Sequence, residues 1–363
     1  MEPRLKIGLI GCGAIAPAYM ENLSGNLSGT VEVVACADLD QRLAAKLAET
    51  HGIPRTCSTE ELLADPEITV AVNLTPAPAH FAVSKQILEA GKHLFSEKPL
   101  SLETEQAEEL LAMARDRNLR VGGAADTFMG AGLQVARRLI EKRRIGDPVA
   151  AAALVTVPLR EDRRYHEVFK GAVMDLGPYY ITALVHLLGP ITRVAGLAPL
   201  RFPTKTDAAT GESFAVDLPS TASAVFEFAG GVTATFIASQ DVHSYFPRIE
   251  VFGTSGRMTV NDANKYSGPI TIESHQGNES IEPTSADGFT NDRRGLGVAE
   301  MALALEKGQE PLASGALMTH VLEVQRAVFR TAETGTAVEI TSSIEGLRLL
   351  TREELDQMRN GIT

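Results

Sequence analysis

The chain has 363 residues, enough for two domains with substantial cores. Its 44% hydrophobic and 22% charged content is that of an ordinary globular protein and excludes a disordered or fibrous one. A net charge of −12 argues against a nucleic-acid or anionic-membrane partner, and no apolar run approaches the roughly 20 residues that span a bilayer.

Leu5–Ile10 reads as a short apolar strand running into Gly11-Cys12-Gly13-Ala14-Ile15-Ala16, a Gly-x-Gly-x-x-Ala turn placed to open a helix. Asp38 closes the next apolar run, Val31–Ala37. Strand, turn, helix, strand and acid in this order form the dinucleotide-binding fingerprint. Gly11 permits the tight turn, and Gly13 lets the backbone approach a pyrophosphate. Ala14 and Ile15 carry the loop to the helix N-terminus, which faces the phosphate charge, and Ala16 is small enough for helix and strand to pack closely. The Asp38 carboxylate is placed to accept from a ribose diol and to repel a 2′-phosphate, so NAD is expected as cofactor. NADP use stays open, because Leu39, Asp40 and Arg42 can rearrange around a 2′-phosphate.

The N-terminus superficially imitates a signal peptide through Arg4, Lys6, an apolar stretch and Ala16-Pro17-Ala18. That stretch is short, broken by glycines and already accounted for by the first strand and its turn. Cys12, Cys36 and Cys57 are odd in number and lack metal-ligand spacing, so they read as reduced thiols and a cytoplasmic location is expected. Metal binding is not expected.

Strand and helix go on alternating. A helix over 40–51 has Asp40 as cap, and Ser58 with Glu61 forms a capping box before another. Thr69–Leu74 is a strand, Pro78–Ala90 a helix stopped by Gly91, and His93–Ser96 a strand. A helix over 103–118 and a strand at Leu119–Gly123 follow. Residues 1–124 are thus predicted to form a parallel doubly wound sheet, a Rossmann domain. From 125 to 363 the pattern predicts a second α/β domain with a large open, mostly antiparallel sheet and helices on one face. Its elements are a helix at 131–144, an extended segment at 149–157, a polar loop with Arg160, Arg163 and Arg164, and a helix at 173–188. Strands at 220–229 and 232–239 are joined by Gly230-Gly231, a two-residue hairpin signal. Arg248–Gly253 and Arg257–Val260 continue the sheet; helices at 296–307 and 315–334 precede a last strand at 336–341. Thr351 and Glu354 signal a terminal helix.

Two constellations carry chemistry. Glu97-Lys98-Pro99 sits at the carboxyl end of the His93–Ser96 strand, the edge where open α/β sheets bind ligands. Pro99 biases Lys98 towards an extended backbone. The other is Asp175-Leu176-Gly177-Pro178-Tyr179-Tyr180-Ile181-Thr182, where Asp175, Tyr179, Thr182 and His186 would form one polar stripe on an apolar helix. His186 would lie roughly 16 Å along the axis from Asp175, too far to act on the same carbon, and is read as structural.

The Gly11–Ala16 loop, Asp38, Glu97-Lys98-Pro99 and the Asp175–Thr182 segment together resemble the Gfo/Idh/MocA oxidoreductase family. The resemblance covers nearly the whole chain. It implies a dehydrogenase acting on a sugar, cyclitol or related polyol, and a homodimer or homotetramer associating through the open sheet. Its pattern often has histidine where this chain has Tyr179 and an acid where it has Thr182. It further implies that Asn73-Leu74-Thr75-Pro76 passes beside the ribose and nicotinamide, with His80 opening the next helix either as a site residue or bonded to backbone. Glu97 and Lys98 would border the cofactor.

Oxidising an alcohol delivers hydride to the nicotinamide while a base takes the hydroxyl proton. Tyrosine titrates near ~10, and a nearby Lys98 ammonium would favour the tyrosinate. Tyr179 is therefore expected to transfer the proton with Lys98 polarising the substrate oxygen, or with the two roles exchanged, while Asp175 orients the substrate or Lys98. Arg163, Arg164, Tyr165 and His166 occupy a loop where the arginines either grip an anionic group or remain solvated. Asp126 either closes the pocket or sits in solvent. Two other readings are a redox-neutral enzyme holding NAD(P) tightly and a non-catalytic dinucleotide sensor.

Overall fold

The computed structural model describes residues 5–158, 161–291, 294–344 and 347–360. Arg160 lies outside them. Among the described residues two compact units form, one drawn from Met1–Asp126, Arg293–Thr319 and Leu350–Thr363, the other from Thr127–Asp292 and His320–Leu349. The first therefore takes in later segments that the sequence pattern assigns to the second domain.

Five parallel strands build the first unit: β1 (Leu5–Ile10), β2 (Val31–Ala37), β3 (Val70–Asn73), β4 (His93–Ser96) and β5 (Val121–Gly123), in the order β2-β1-β3-β4-β5. This is the expected doubly wound sheet. Every residue of β3 is buried, as a parallel strand covered on both faces requires. The predicted caps operate: the Asp40 side chain accepts from the Arg42 N–H, and Ser58 with Glu61 closes a reciprocal capping box. The Leu296–Glu306 helix receives its cap from a distance, because the fully buried Asp126 accepts from the Gly297 N–H at 2.8 Å. Asp126 is thus neither solvated nor free to close a pocket.

The second unit contains β6 (Pro148–Pro158), β7 (Ile191–Leu197), the small pair β8 (Thr204–Thr206) and β9 (Ser213–Ala215), β10 (Thr221–Phe228), β11 (Thr233–Val242), β12 (Phe246–Gly253), β13 (Gly256–Val260), β14 (Ile270–Ser274), β15 (Gly277–Ile281) and β16 (Val338–Glu339). Nine of these strands form one sheet in the order β15-β14-β13-β12-β6-β11-β10-β7-β16. It is antiparallel except where β11 runs parallel to β6. Alternation is plain in β10, where Ala222, Ala224, Phe226 and Phe228 point inward. Phe226 and Phe236 stack beneath the helices with centroids 5.3 Å apart. The β10–β11 loop is longer than a two-residue hairpin: Phe228 N–H donates to the Val232 carbonyl around Ala229-Gly230-Gly231, with Gly231 at φ 80°.

Two expectations need correction. The segment 163–169 is a short helix, Arg163–Phe169, because Asp162 accepts from Tyr165 N–H and caps it. The stretch 173–188 is two helices, Ala172–Asp175 and Gly177–Leu188, rather than one. Pro178 has no N–H to donate and its ring conflicts with the Met174 carbonyl, so the helix restarts with the proline in its first turn. All residues of Gly177–Leu187 are buried, so this helix supplies the core beneath the sheet.

Candidate functional site

Two glycines of the first turn differ in what demands them. At Gly11, φ is 97° and a Cβ would lie 2.6 Å from the Leu74 carbonyl carbon, so the fold itself requires glycine. At Gly13 a Cβ would meet nothing within 4 Å. Among the described residues none crowds that position, which leaves open space beside the backbone for a ligand. Gly13, Ala14 and Ile15 precede the Ala16–Leu23 helix, and among the described residues no protein acceptor takes their N–H groups. Three unclaimed donors at a helix N-terminus suit a pyrophosphate.

Asp38 is half-buried at the end of β2, its Oδ2 accepting from Cys12 N–H at 2.7 Å and its Oδ1 from Asp40 N–H at 2.8 Å. Each oxygen keeps lone-pair capacity for a ribose hydroxyl. The same carboxylate therefore braces the glycine loop, a role that spacing alone does not reveal. Behind the loop, Cys12 is 5% exposed and Cys36 fully buried, their thiols donating to the Ala37 and Ala44 carbonyls; the neighbouring Cys36 thiol and then burial raise the Cys12 thiol above its ordinary pKa.

The carboxyl ends of β3 and β4 form a bonded unit. Asn73 donates to the His80 carbonyl at 3.1 Å and to Ser84 Oγ at 3.0 Å, while its Oδ1 accepts from Thr75 N–H and Oγ1. Its amide is fully engaged and shapes the Asn73–Pro76 loop; Thr75 is half-buried and Pro76 exposed. His80 is 1% exposed, with Nδ1 2.6 Å from the Pro99 carbonyl and Nε2 2.6 Å from the Thr75 carbonyl. Burial pulls its pKa below the ordinary value, opposed by those two carbonyls and by Glu97. Glu97 is buried; its Oε1 accepts from the Tyr19 hydroxyl at 2.8 Å and its Oε2 from Lys98 N–H at 3.1 Å. Tyr19, which no sequence motif singled out, thereby anchors the carboxylate before Lys98.

In the second unit, Asp175 ends one helix and Tyr179 lies in the first turn of the next, so the pair remains adjacent although the stripe is interrupted. Tyr179 is 6% exposed and Thr182 2%. Asp175 is half-buried, and its Oδ2 accepts from the Tyr165 hydroxyl at 2.6 Å. Tyr165 is held by its neighbours, its ring 4.9 Å from Phe169 and 5.9 Å from His166. Arg163 directs its guanidinium to Glu167 at 2.9 Å, and Arg164 is exposed. His186 is fully buried beside Phe128.

A cavity of about 580 Å³ lies at the opposite, amino edge of the parallel sheet, lined by Leu5, Thr69, His93, Arg120, Leu305 and Gln309. It holds none of the site residues named above, and ligands of such sheets bind at the carboxyl edge. Among the described residues no cluster of His, Cys, Asp or Glu could hold a metal ion, and no helix is long and apolar enough to cross a membrane.

Two models of the GFO/IDH/MocA oxidoreductases match this chain: the NAD-binding Rossmann fold over residues 5–124 and the C-terminal domain over 133–259. The chain is 27% identical over 334 residues to trans-1,2-dihydrobenzene-1,2-diol dehydrogenase of Oryctolagus cuniculus, covering 88% of this chain and 97% of that one. It is 30% identical over 273 residues to dTDP-3,4-didehydro-2,6-dideoxy-alpha-D-glucose 3-reductase of Streptomyces violaceoruber, covering 73% and 74%. Among solved structures, levoglucosan dehydrogenase in complex with NADH and L-sorbose matches with a TM-score of 0.84 at 19% identity, over 94% of this chain and 100% of that one. An NAD binding oxidoreductase from Klebsiella pneumoniae matches at 0.82 and 21%, over 93% and 100%. The two structural matches show a common fold.

Proposed function

Because this chain belongs to the GFO/IDH/MocA oxidoreductase family, we propose that it is an NAD-dependent dehydrogenase moving hydride between the nicotinamide and a secondary alcohol carbon of a sugar, cyclitol or related polyol. The observation that carries the cofactor is Gly13, open to a ligand and beside unclaimed N–H donors. Asp38 favours NAD over NADP by its negative charge where a 2′-phosphate would lie. Support for the substrate class comes from relatives whose names specify a cyclic diol, a deoxysugar and levoglucosan.

Bound NAD supplies the hydride acceptor. The chain supplies the proton path and the orientation. Lys98, held at its backbone by Glu97, polarises the substrate oxygen as an ammonium. Tyr179 takes the hydroxyl proton, and the two can exchange roles. Asp175, its Oδ2 engaged by Tyr165, orients the substrate or Lys98. The loop residues Asn73, Thr75 and Pro76 and the Gly11–Ala16 turn present the cofactor.

A homodimer or homotetramer forms through the outer face of the nine-stranded sheet, where Leu197, Val225, Ile237, Phe246 and Phe252 are exposed. A cytoplasmic location suits the three free thiols. The test is near-ultraviolet absorbance with NAD or NADP and a polyol panel, run beside Lys98→Met. Reduced cofactor with one substrate class, lost in the variant, supports the reading; no reduction across a broad panel refutes it.

A further inference from the structure

The His80 ring stands between two carbonyl oxygens that belong to different loops. Thr75 lies on the loop leaving β3, on the proposed cofactor path, and Pro99 directly follows Lys98. Both contacts are 2.6 Å, and the ring is 1% exposed. Carbonyls only accept, so the ring nitrogen that carries the proton donates to its carbonyl, and both contacts are donating when the ring is protonated. The His80 backbone is fixed as well, since its own carbonyl accepts from Asn73, which also holds Thr75. Glu97 secures the other side of Lys98 through its N–H. Lys98 is thus gripped on one side by Glu97 and, through Pro99, on the other by His80.

We infer that His80 is a positioning residue: it ties the cofactor-facing Thr75 loop to the Lys98–Pro99 segment, so that seating the dinucleotide and placing the lysine are mechanically linked. The inference rests on the dehydrogenase reading above for the role of Lys98. It differs from a contact role for His80, because both ring nitrogens are spent on backbone oxygens. It also differs from a purely structural role, because the two arms serve different steps.

Two amide substitutions separate the arms. In His80→Gln the side-chain N–H₂ falls where Nε2 stood and keeps a donor towards Thr75, but nothing faces Pro99. In His80→Asn it falls where Nδ1 stood and keeps the Pro99 arm, but nothing faces Thr75. With NAD and a substrate from the polyol panel, His80→Gln is expected to lower kcat roughly tenfold or more while leaving the Kd for NAD unchanged. His80→Asn is expected to raise that Kd about fivefold, with kcat at saturating NAD unchanged. Loss of the same parameter in both variants, or no change in either, overturns the inference. A readout independent of turnover is amide hydrogen exchange: the 97–100 segment should exchange faster in His80→Gln and not in His80→Asn. If wild type reduces no cofactor, the dehydrogenase reading fails, while the Kd and exchange patterns still decide the linkage.

Discussion

Replacing His186 by leucine tests how a buried neutral imidazole sets the acid limit of stability. The ring is 0% exposed, its centroid 5.2 Å from that of Phe128, and neither ring nitrogen has a hydrogen-bond partner. Burial first, then the Arg137 guanidinium, pushes its pKa down to about 3; the Leu133 backbone favours the charged ring slightly without reaching hydrogen-bond geometry. In the unfolded chain the ring titrates near ~6.5. Between these values the unfolded state binds a proton that the native state does not, so stability is complete above the unfolded pKa and falls as pH drops towards 3. At pH 5 the loss relative to pH 8 comes to about 2 kcal/mol. Independently of pH, the unsatisfied ring N–H costs about 1–3 kcal/mol. Leucine is close in volume and suits the helix, and the Arg137 bond to the residue-186 carbonyl survives because it uses backbone. His186→Leu should therefore stabilise by about 1 kcal/mol or more at pH 8 and by about 2 kcal/mol beyond that at pH 5. Urea unfolding followed by circular dichroism at the two pH values measures both. A difference between variant and wild type that does not widen on acidification refutes the argument, as does clear destabilisation at pH 8.

Three further outcomes follow from the geometry. Gly13→Ala should leave the melting temperature unchanged, since its Cβ meets nothing, yet weaken NAD binding about tenfold or more by intruding where the pyrophosphate approaches; calorimetry and titration separate the two. Asp38→Asn should weaken NAD and narrow the NAD-to-NADP affinity ratio, because it removes the charge opposing a 2′-phosphate; an unchanged ratio would contradict that role. The Lys205–Asp241 pair is 2.7 Å apart with side chains 6% and 9% exposed, and Ser220 and Thr221 also donate to Asp241. Lys205→Met should destabilise the second unit by about 3 kcal/mol in urea, leaving a buried carboxylate short of a partner, and adding Asp241→Leu should recover part of the loss.

What was legible in the residues was local. A glycine with φ 97° after an apolar strand, an Asp cap at residue 40 and the Ser58–Glu61 box each act within a few residues of chain, where dihedral preference and short hydrogen bonds decide. The helix expected over 315–334 is observed as Gly315–Thr334. The break near Pro178 was also written locally, but the apolar periodicity across 173–188 hid it. Tyr165 gave no such signal, because its partner Asp175 is reached only when a separate short helix turns its ring inward.

Residue order alone was enough for the parallel sheet, the Gly11–Ala16 turn and the placing of Asp38 at the end of the second strand, because strand period, turn chemistry and caps are properties of neighbouring residues. Tertiary structure alone decided which polar groups are spent holding the fold and which stay available. Asn73, Asp126 and His80 all look like site residues in a string of letters. Each is committed to backbone partners that the chain brings together only by folding, since a side chain has one hydrogen-bonding inventory and burial forces it to be satisfied.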